Sequence, residues 1–136
     1  MDAGTTARPT LMGRVIAPLV GDRVTLPPTL TGKWPELARV RWRRGGLPPR
    51  VAGWCLGQRS VAAVTLWTNV YLGHTAHLDE ELLLHEFRHV HQFVSDPLFP
   101  VRYIVESIRR GYHQNRYEVD ARAYAAARLS AGRASP

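Results

Sequence analysis

The chain has 136 residues, enough for one domain with a single modest core and too few for a second catalytic domain. Its formal charge of +7 comes from arginine with a single lysine, Lys33, a skew that reads as compositional bias as much as selection for a polyanion. No apolar run approaches the roughly 18 residues of a membrane span, residues 13–20 are too short and proline-broken for a convincing signal peptide, and the lone Cys55 excludes an intrachain disulfide. No membrane partner is expected, and a cytoplasmic location is the default.

Residues 1–35, with Pro9, Pro18, Pro27, Pro28 and Pro35 among small and polar residues, predict an irregular N-terminal arm ahead of a domain over residues 36–130. Alternation of Ala38, Val40 and Trp42 with Arg39, Arg41 and Arg43 predicts a strand at 38–43 with one apolar face and one solvated basic face. Trp42 falls on the apolar side, so the basic cluster lacks the interleaved exposed aromatics that would favour a nucleic-acid partner. After the Gly45-Gly46 turn comes a short apolar segment at 51–56. Residues 61–67 and 70–72 are rich in β-branched and aromatic side chains and predict further strands, giving a small, mainly antiparallel sheet.

His74 and His77 lie in a loop, and Asp79 is suited to cap a helix over 80–94 that ends before Asp96-Pro97. Phe99-Pro100 introduces a second helix at 101–110, with Tyr103, Ile104 and Ile108 directed inward and Gly111 as its stop. An alanine-rich third helix is expected at 115–129, followed by a flexible tail at 131–136. The fold class is therefore α+β, with a sheet followed by three helices.

The first of these helices carries His85-Glu86-Phe87-Arg88-His89, the pattern H-E-x-x-H. Residues four apart on a helix differ by about 40°, so the two imidazoles share a face and can grip one metal, with Glu86 beside them as a general base. On the helical wheel Leu82, Leu83, His89, Val90 and Phe93 fill one arc with Glu86 near its centre, while Glu81, Arg88, His91 and Gln92 are assigned to the wet face. A carboxylate on an apolar face needs a partner, since burying it alone costs several kcal/mol. A metal with its bound water supplies one.

A catalytic zinc takes a third protein ligand and keeps a position for water. Glu118 shares its helix face with Ala121, Ala125 and Leu129, a second acid on an apolar stripe, and is the preferred ligand; His113 is the competitor. Asp120 is turned about 200° from Glu118 and reads as half of a surface pair with Arg116.

His85-Glu86-x-x-His89 followed by Glu118 and Ala121 resembles the gluzincin metallopeptidases, whose third ligand is a glutamate in an E-x-x-A context on a later helix. His85-Glu86-x-x-His89-Val90-x-Gln92 is also similar to the minigluzincins and to small domains associated with bacterial contractile injection systems. The resemblance covers residues 38–129 and implies a zincin-like domain, Zn2+ as cofactor and a peptide or protein substrate. It also implies that an extended peptide pairs with the sheet edge around Thr65, Trp67, Asn69 and Tyr71. Tyr103, Tyr112 and His113 are candidate stabilisers of the transition state. In one departure, Arg122 stands where many gluzincins carry an acid that orients a zinc-bound histidine. That departure keeps open a catalytically silent zincin-fold module, and the charge together with His113 keeps open a DNA-associated protease similar to SprT-like proteins. Substrate specificity and oligomeric state are not fixed by the sequence.

Overall fold

Leu37, Val70, Leu72, Leu83, Leu84, Ala121 and Ala125 have no exposed surface. They come from a turn, a sheet and two helices that meet in one core. The computed structural model describes residues 20–49 and 62–134. Most of the predicted arm, the apolar segment at 51–56, Cys55 and residues 135–136 lie outside them.

Strands β1 (Asp22–Arg23), β2 (Arg41–Arg44), β3 (Ala63–Leu66) and β4 (Asn69–Leu72) form a sheet in the order β1-β2-β4-β3. The β1/β2 and β3/β4 pairings are antiparallel, but the central β2/β4 pairing is parallel, with Trp42 opposite Val70. The sheet is thus mainly antiparallel as expected, two of its three pairings being so, with a parallel pair at its centre. A parallel pair needs a connection of roughly a dozen residues or more, and the chain between β2 and β4, which includes β3, is long enough to provide it. Trp67 and Thr68 form the two-residue turn between β3 and β4, Trp67 in the left-handed region at φ 59°.

The described part of the segment expected as an irregular arm contributes β1 and a short helix, α1 (Pro28–Lys33), and buries Leu26 and Trp34. Pro35 then opens a 3-10 turn over Pro35–Arg39, so β2 begins later than the alternation predicts. Trp42 is buried as expected, its indole N–H donating to the Leu37 carbonyl at 2.9 Å. The opposite face is not merely solvated. Arg43 there donates to the carbonyls of Val20 and Gly21, while Arg44, on the same side of β2 as Trp42, donates to those of Gly73, His74 and Ala76.

Helix α2 (Glu80–Ser95) is the motif helix, and Asp79 caps it by accepting from the Leu82 N–H at 2.8 Å. Helix α3 (Phe99–Arg110) begins at the predicted Phe99-Pro100 and ends at Gly111, whose φ of 76° suits a residue without Cβ. Helix α4 (Arg116–Ala134) runs into the segment expected as a tail. Asn115 precedes it, fully buried. Its side-chain oxygen accepts from the Tyr117 N–H, and its amide donates to the Tyr103 carbonyl and Ser107 Oγ on α3.

Ile104 and Ile108 do not point inward: they are 58% and 79% exposed. With Val101 and Val105 they lie on the exposed side of α3, where Ile104 also borders a cavity, while Phe99, Tyr103 and Glu106 face in. No helix among the described residues is long and apolar enough to cross a membrane.

Near its end α4 rests on Trp34, and Arg128 reinforces that contact by lying over the indole and pairing with Glu36. A Cβ on Gly132 would come within 2.4 Å of the buried Trp34 ring. A helical glycine replaced by alanine ordinarily gains about 0.5–1 kcal/mol. Here Gly132→Ala is expected instead to destabilise the protein by about 1–3 kcal/mol through overpacking, a sign that urea denaturation reads directly.

Candidate metal centre

Three residues expected to act together do meet. His85 and His89 project from successive turns of α2, and Glu118 from the first turn of α4. His85 Nε2 lies 3.1 Å from His89 Nε2 and 3.2 Å from Glu118 Oε2, and His89 Nε2 lies 3.2 Å from Glu118 Oε1. The small side chains of Ala121 and Ala125 allow α4 to approach α2 closely enough for this. Asn115 fixes where α4 starts, three residues before the carboxylate.

Ligand atoms held about 2.0–2.1 Å from a tetrahedral centre lie about 3.3 Å from one another. The two imidazole nitrogens, 3.1 Å apart, match that spacing, each has a different oxygen of the Glu118 carboxylate at 3.2 Å, and one donor atom from each residue lies within 4.8 Å of the others. A second observation agrees: Glu118 Oε2 is buried, and despite its closeness to His85 it has no hydrogen bond of good geometry. His85, His89 and Glu118 form a group that can hold a metal ion.

Electrostatics reinforce the grouping. Burial works against the charged form of Glu118, but the adjoining His85 and His89 imidazoles and the Tyr103 hydroxyl outweigh it and hold the carboxyl well below the usual range. Burial likewise opposes charge on His89, and the Glu118 carboxylate overcomes it and raises the imidazole. The Tyr103 hydroxyl donates to Glu118 Oε1 at 2.5 Å. Burial, followed by the same carboxylate, raises both the Tyr103 and Tyr112 phenols, so both remain protonated donors.

Glu86 is 6% exposed and accepts a 2.6 Å hydrogen bond from the Thr65 hydroxyl. It lines a cavity of about 330 Å3 together with His89, Glu118, Tyr103 and Tyr112, under a largely apolar wall that includes Val64, Phe93, Phe99 and Ile104. His113 sits in a 3-10 turn, exposed and outside both the cluster and the cavity lining. Its carbonyl accepts from Arg122. The expected substrate edge also needs correction. Asn69 and Tyr71 lie on β4, paired on both sides, and Trp67 is in the turn, so on this side of the sheet the open edge among the described residues belongs to β3. Hydrogen-bonded positions alternate along an antiparallel ladder. Gly73 N–H donates to the Ala62 carbonyl, which puts Val64 and Leu66 in the paired positions and turns the backbone groups of Ala63 and Thr65 toward the open side.

Two residues at the site escaped the sequence reading. Gln92, assigned to the wet face, is 8% exposed, and its Oε1 lies 2.8 Å from His89 Nδ1. It stands two turns, seven residues, beyond His85 and so within about 20° of it on the wheel. Asp120 does not pair with Arg116. It accepts from Arg88 at 2.6 and 3.2 Å and from the Gln92 amide at 2.8 Å. The contact face of α4 is centred nearer Ala121 than Glu118, and its rim takes in Asp120.

The two shifted groups give a pH-dependent contribution in the metal-free protein. Glu118, with its value depressed, stabilises above its ordinary 4.5 and loses that contribution as pH falls through the folded value. His89, with its value raised, stabilises fully below its ordinary 6.5 and loses that contribution as pH rises through the folded value. In metal-free protein Glu118→Gln is therefore expected to cost about 1–3 kcal/mol near pH 6 and less near pH 9. Denaturant titrations giving equal costs at both would contradict the ion pair.

No family model, curated protein or solved structure matches this chain. The centre consists of two imidazoles and a buried carboxylate able to hold a metal ion, with a second carboxylate beside them in an apolar cavity.

Proposed function

We propose that the chain is a zincin-fold peptidase in which His85, His89 and Glu118 hold zinc and Glu86 acts as general base in hydrolysis of a peptide bond. The observation that carries this reading is the convergence of the two imidazole nitrogens on the Glu118 carboxylate, with Glu86 lining the same cavity. Two imidazole nitrogens and one carboxylate oxygen are a donor set typical of catalytic zinc. A zinc ion held there would supply Lewis acidity, bringing the pKa of water toward neutrality and polarising a substrate carbonyl.

The chain's own groups divide the remaining work. Thr65 holds one oxygen of Glu86, and the other has no hydrogen bond among the described residues. Glu86 can therefore accept a proton from water and return it to the leaving amine. The open edge of β3 offers backbone donors and acceptors at Ala63 and Thr65 to an extended peptide. The apolar wall of the cavity would take an apolar side chain of that peptide and exclude water around it. Tyr103 and Tyr112, protonated donors that both line the cavity beside Glu118, are the candidate stabilisers.

One observation favours the catalytically silent alternative. Arg122 brings a guanidinium to 4.0 Å from Glu118 Oε2, a cation that competes with a metal for the carboxylate. The DNA-associated alternative has no such support. His113 lies outside the cluster, and Arg43 and Arg44 are engaged with backbone carbonyls.

The purified protein should bind about one zinc per chain, as the His2Glu donor set requires. His85→Ala, His89→Ala and Glu118→Ala should each abolish binding, and His113→Ala should leave it intact. Glu86→Gln should keep the metal and lower peptide cleavage by about 10²–10⁴-fold. A folded wild type that takes up no zinc would refute the proposal, and one that binds zinc but cleaves no member of a peptide library would support the silent module.

A further inference from the structure

We infer that Gln92 is a positioning residue that fixes the tautomer of His89, and that Asp120 and Arg88 hold Gln92 in place to do so. The inference rests on the proposed metal centre only in its last step.

The chemistry of a primary amide decides the direction of each hydrogen bond. Gln92 Nε2 lies 3.1 Å from the Tyr117 carbonyl oxygen and 2.8 Å from Asp120 Oδ2. A carbonyl only accepts. So does the Asp120 carboxylate, both of whose oxygens accept from the Arg88 guanidinium. The NH2 group must face these two acceptors. The reversed amide would set its oxygen against both of them, leaving two buried repulsive contacts. With the NH2 committed, Oε1 is the atom 2.8 Å from His89 Nδ1, and an oxygen that only accepts requires the proton on Nδ1. Neutral His89 then carries its lone pair on Nε2, the atom directed at His85 Nε2 and Glu118. That is the tautomer a metal ligand at Nε2 needs.

The chain Arg88, Asp120, Gln92, His89 therefore runs from a partly exposed ion pair to a buried imidazole. Arg122, a cation with donors only, cannot orient a histidine by accepting its N–H. Gln92 provides the acceptor from α2 itself, one turn beyond His89. Gln92 and His89 are 8% and 7% exposed, so water does not readily replace either partner.

The test uses two readouts on the full chain. In metal-free protein at pH 9, nitrogen NMR of the imidazole should place the His89 proton on Nδ1 in wild type, and Gln92→Leu should give a mixture of tautomers. Zinc affinity, measured by competition with a chromophoric chelator, should fall about 10–100-fold in Gln92→Leu. Gln92→Glu alone sets a carboxylate against Asp120 and should also lose affinity. Gln92→Glu with Asp120→Asn returns a donor to position 120 and should recover most of it, a rescue that a purely structural role would not give. Should Gln92→Leu fail to fold, Asp120→Ala serves in its place, since it frees the amide to turn and should also mix the tautomers. An unchanged tautomer and unchanged affinity in a folded variant would overturn the inference. A wild type with the Nδ1 proton, lost on substitution, but no zinc binding would uphold the positioning role and remove the metal reading.

Discussion

Glu118 is 2% exposed and ionised, and that combination is what the rest of the molecule has to sustain. Taking a carboxylate out of water costs several kcal/mol unless charges and donors replace the hydration. The replacement comes from two helices besides its own: His85 and His89 on α2 and the Tyr103 hydroxyl on α3. None of these reaches Glu118 unless α4 lies close against α2, which requires side chains as small as Ala121 and Ala125 between them. Asn115 ties the start of α4 to α3 with the same result, since it sets the position of the first turn from which Glu118 projects. Backbone placement, helix packing and charge are here one problem.

The two buried acids of the site are held differently, and the difference separates their roles. Glu118 has an imidazole near each oxygen and a phenol on one of them, so its geometry is fixed and its charge satisfied from several sides. Glu86 has a hydroxyl from Thr65 on one oxygen. A carboxylate with several rigid partners suits ligation, and one with a single hydroxyl partner and a face on the cavity suits proton transfer. Thr65 reaches Glu86 because strand β3 packs on α2. The sheet edge proposed to bind peptide and the proposed base are thereby positioned by the same strand.

How much of this was legible in the sequence follows the same physics. The motif helix, its Asp79 cap and the stop at Gly111 depend on local chemistry, and local chemistry located them. Glu86 and Glu118 were legible because an acid on an apolar stripe is an anomaly. Gln92 was not: an uncharged polar residue raises no alarm, and its angular position near His85 is easily overlooked. Ile104 and Ile108 show the opposite failure. Apolar residues at helical spacing suggest a core face, but the inward face of α3 carries Tyr103, which reaches Glu118, and Ser107, which accepts from Asn115, beside Phe99 and Glu106, so Ile108 faces out and Ile104 is left at the rim of the cavity. Hydrophobic pattern is a reliable guide where a helix only packs, and it inverts where a helix lines a polar centre. The parallel pairing of β2 with β4 was illegible for another reason, since strand orientation is settled by long-range contacts.

Net charge misleads in a related way. Seen as a total, +7 suggests a polyanion partner, yet the best-placed arginines are engaged internally. Arg44 donates to three carbonyls of the loop at 73–76, which leads directly into the Asp79 cap. Arg43 holds the segment at 20–21, Arg128 joins α4 to Glu36, and Arg88 anchors Asp120. The guanidinium group keeps its charge at any pH the protein meets and offers five donors in a rigid plane. It can therefore satisfy several loop carbonyls at once, as a lysine ammonium on a flexible stem would do less well. In a small domain with many irregular connections, each loop tied down in this way limits the freedom of the helix that follows. The arginine-rich composition is then explained in part by the demand for a rigid site: Arg44 fixes the approach to α2, and Arg88 fixes the amide beside the histidine that α2 carries.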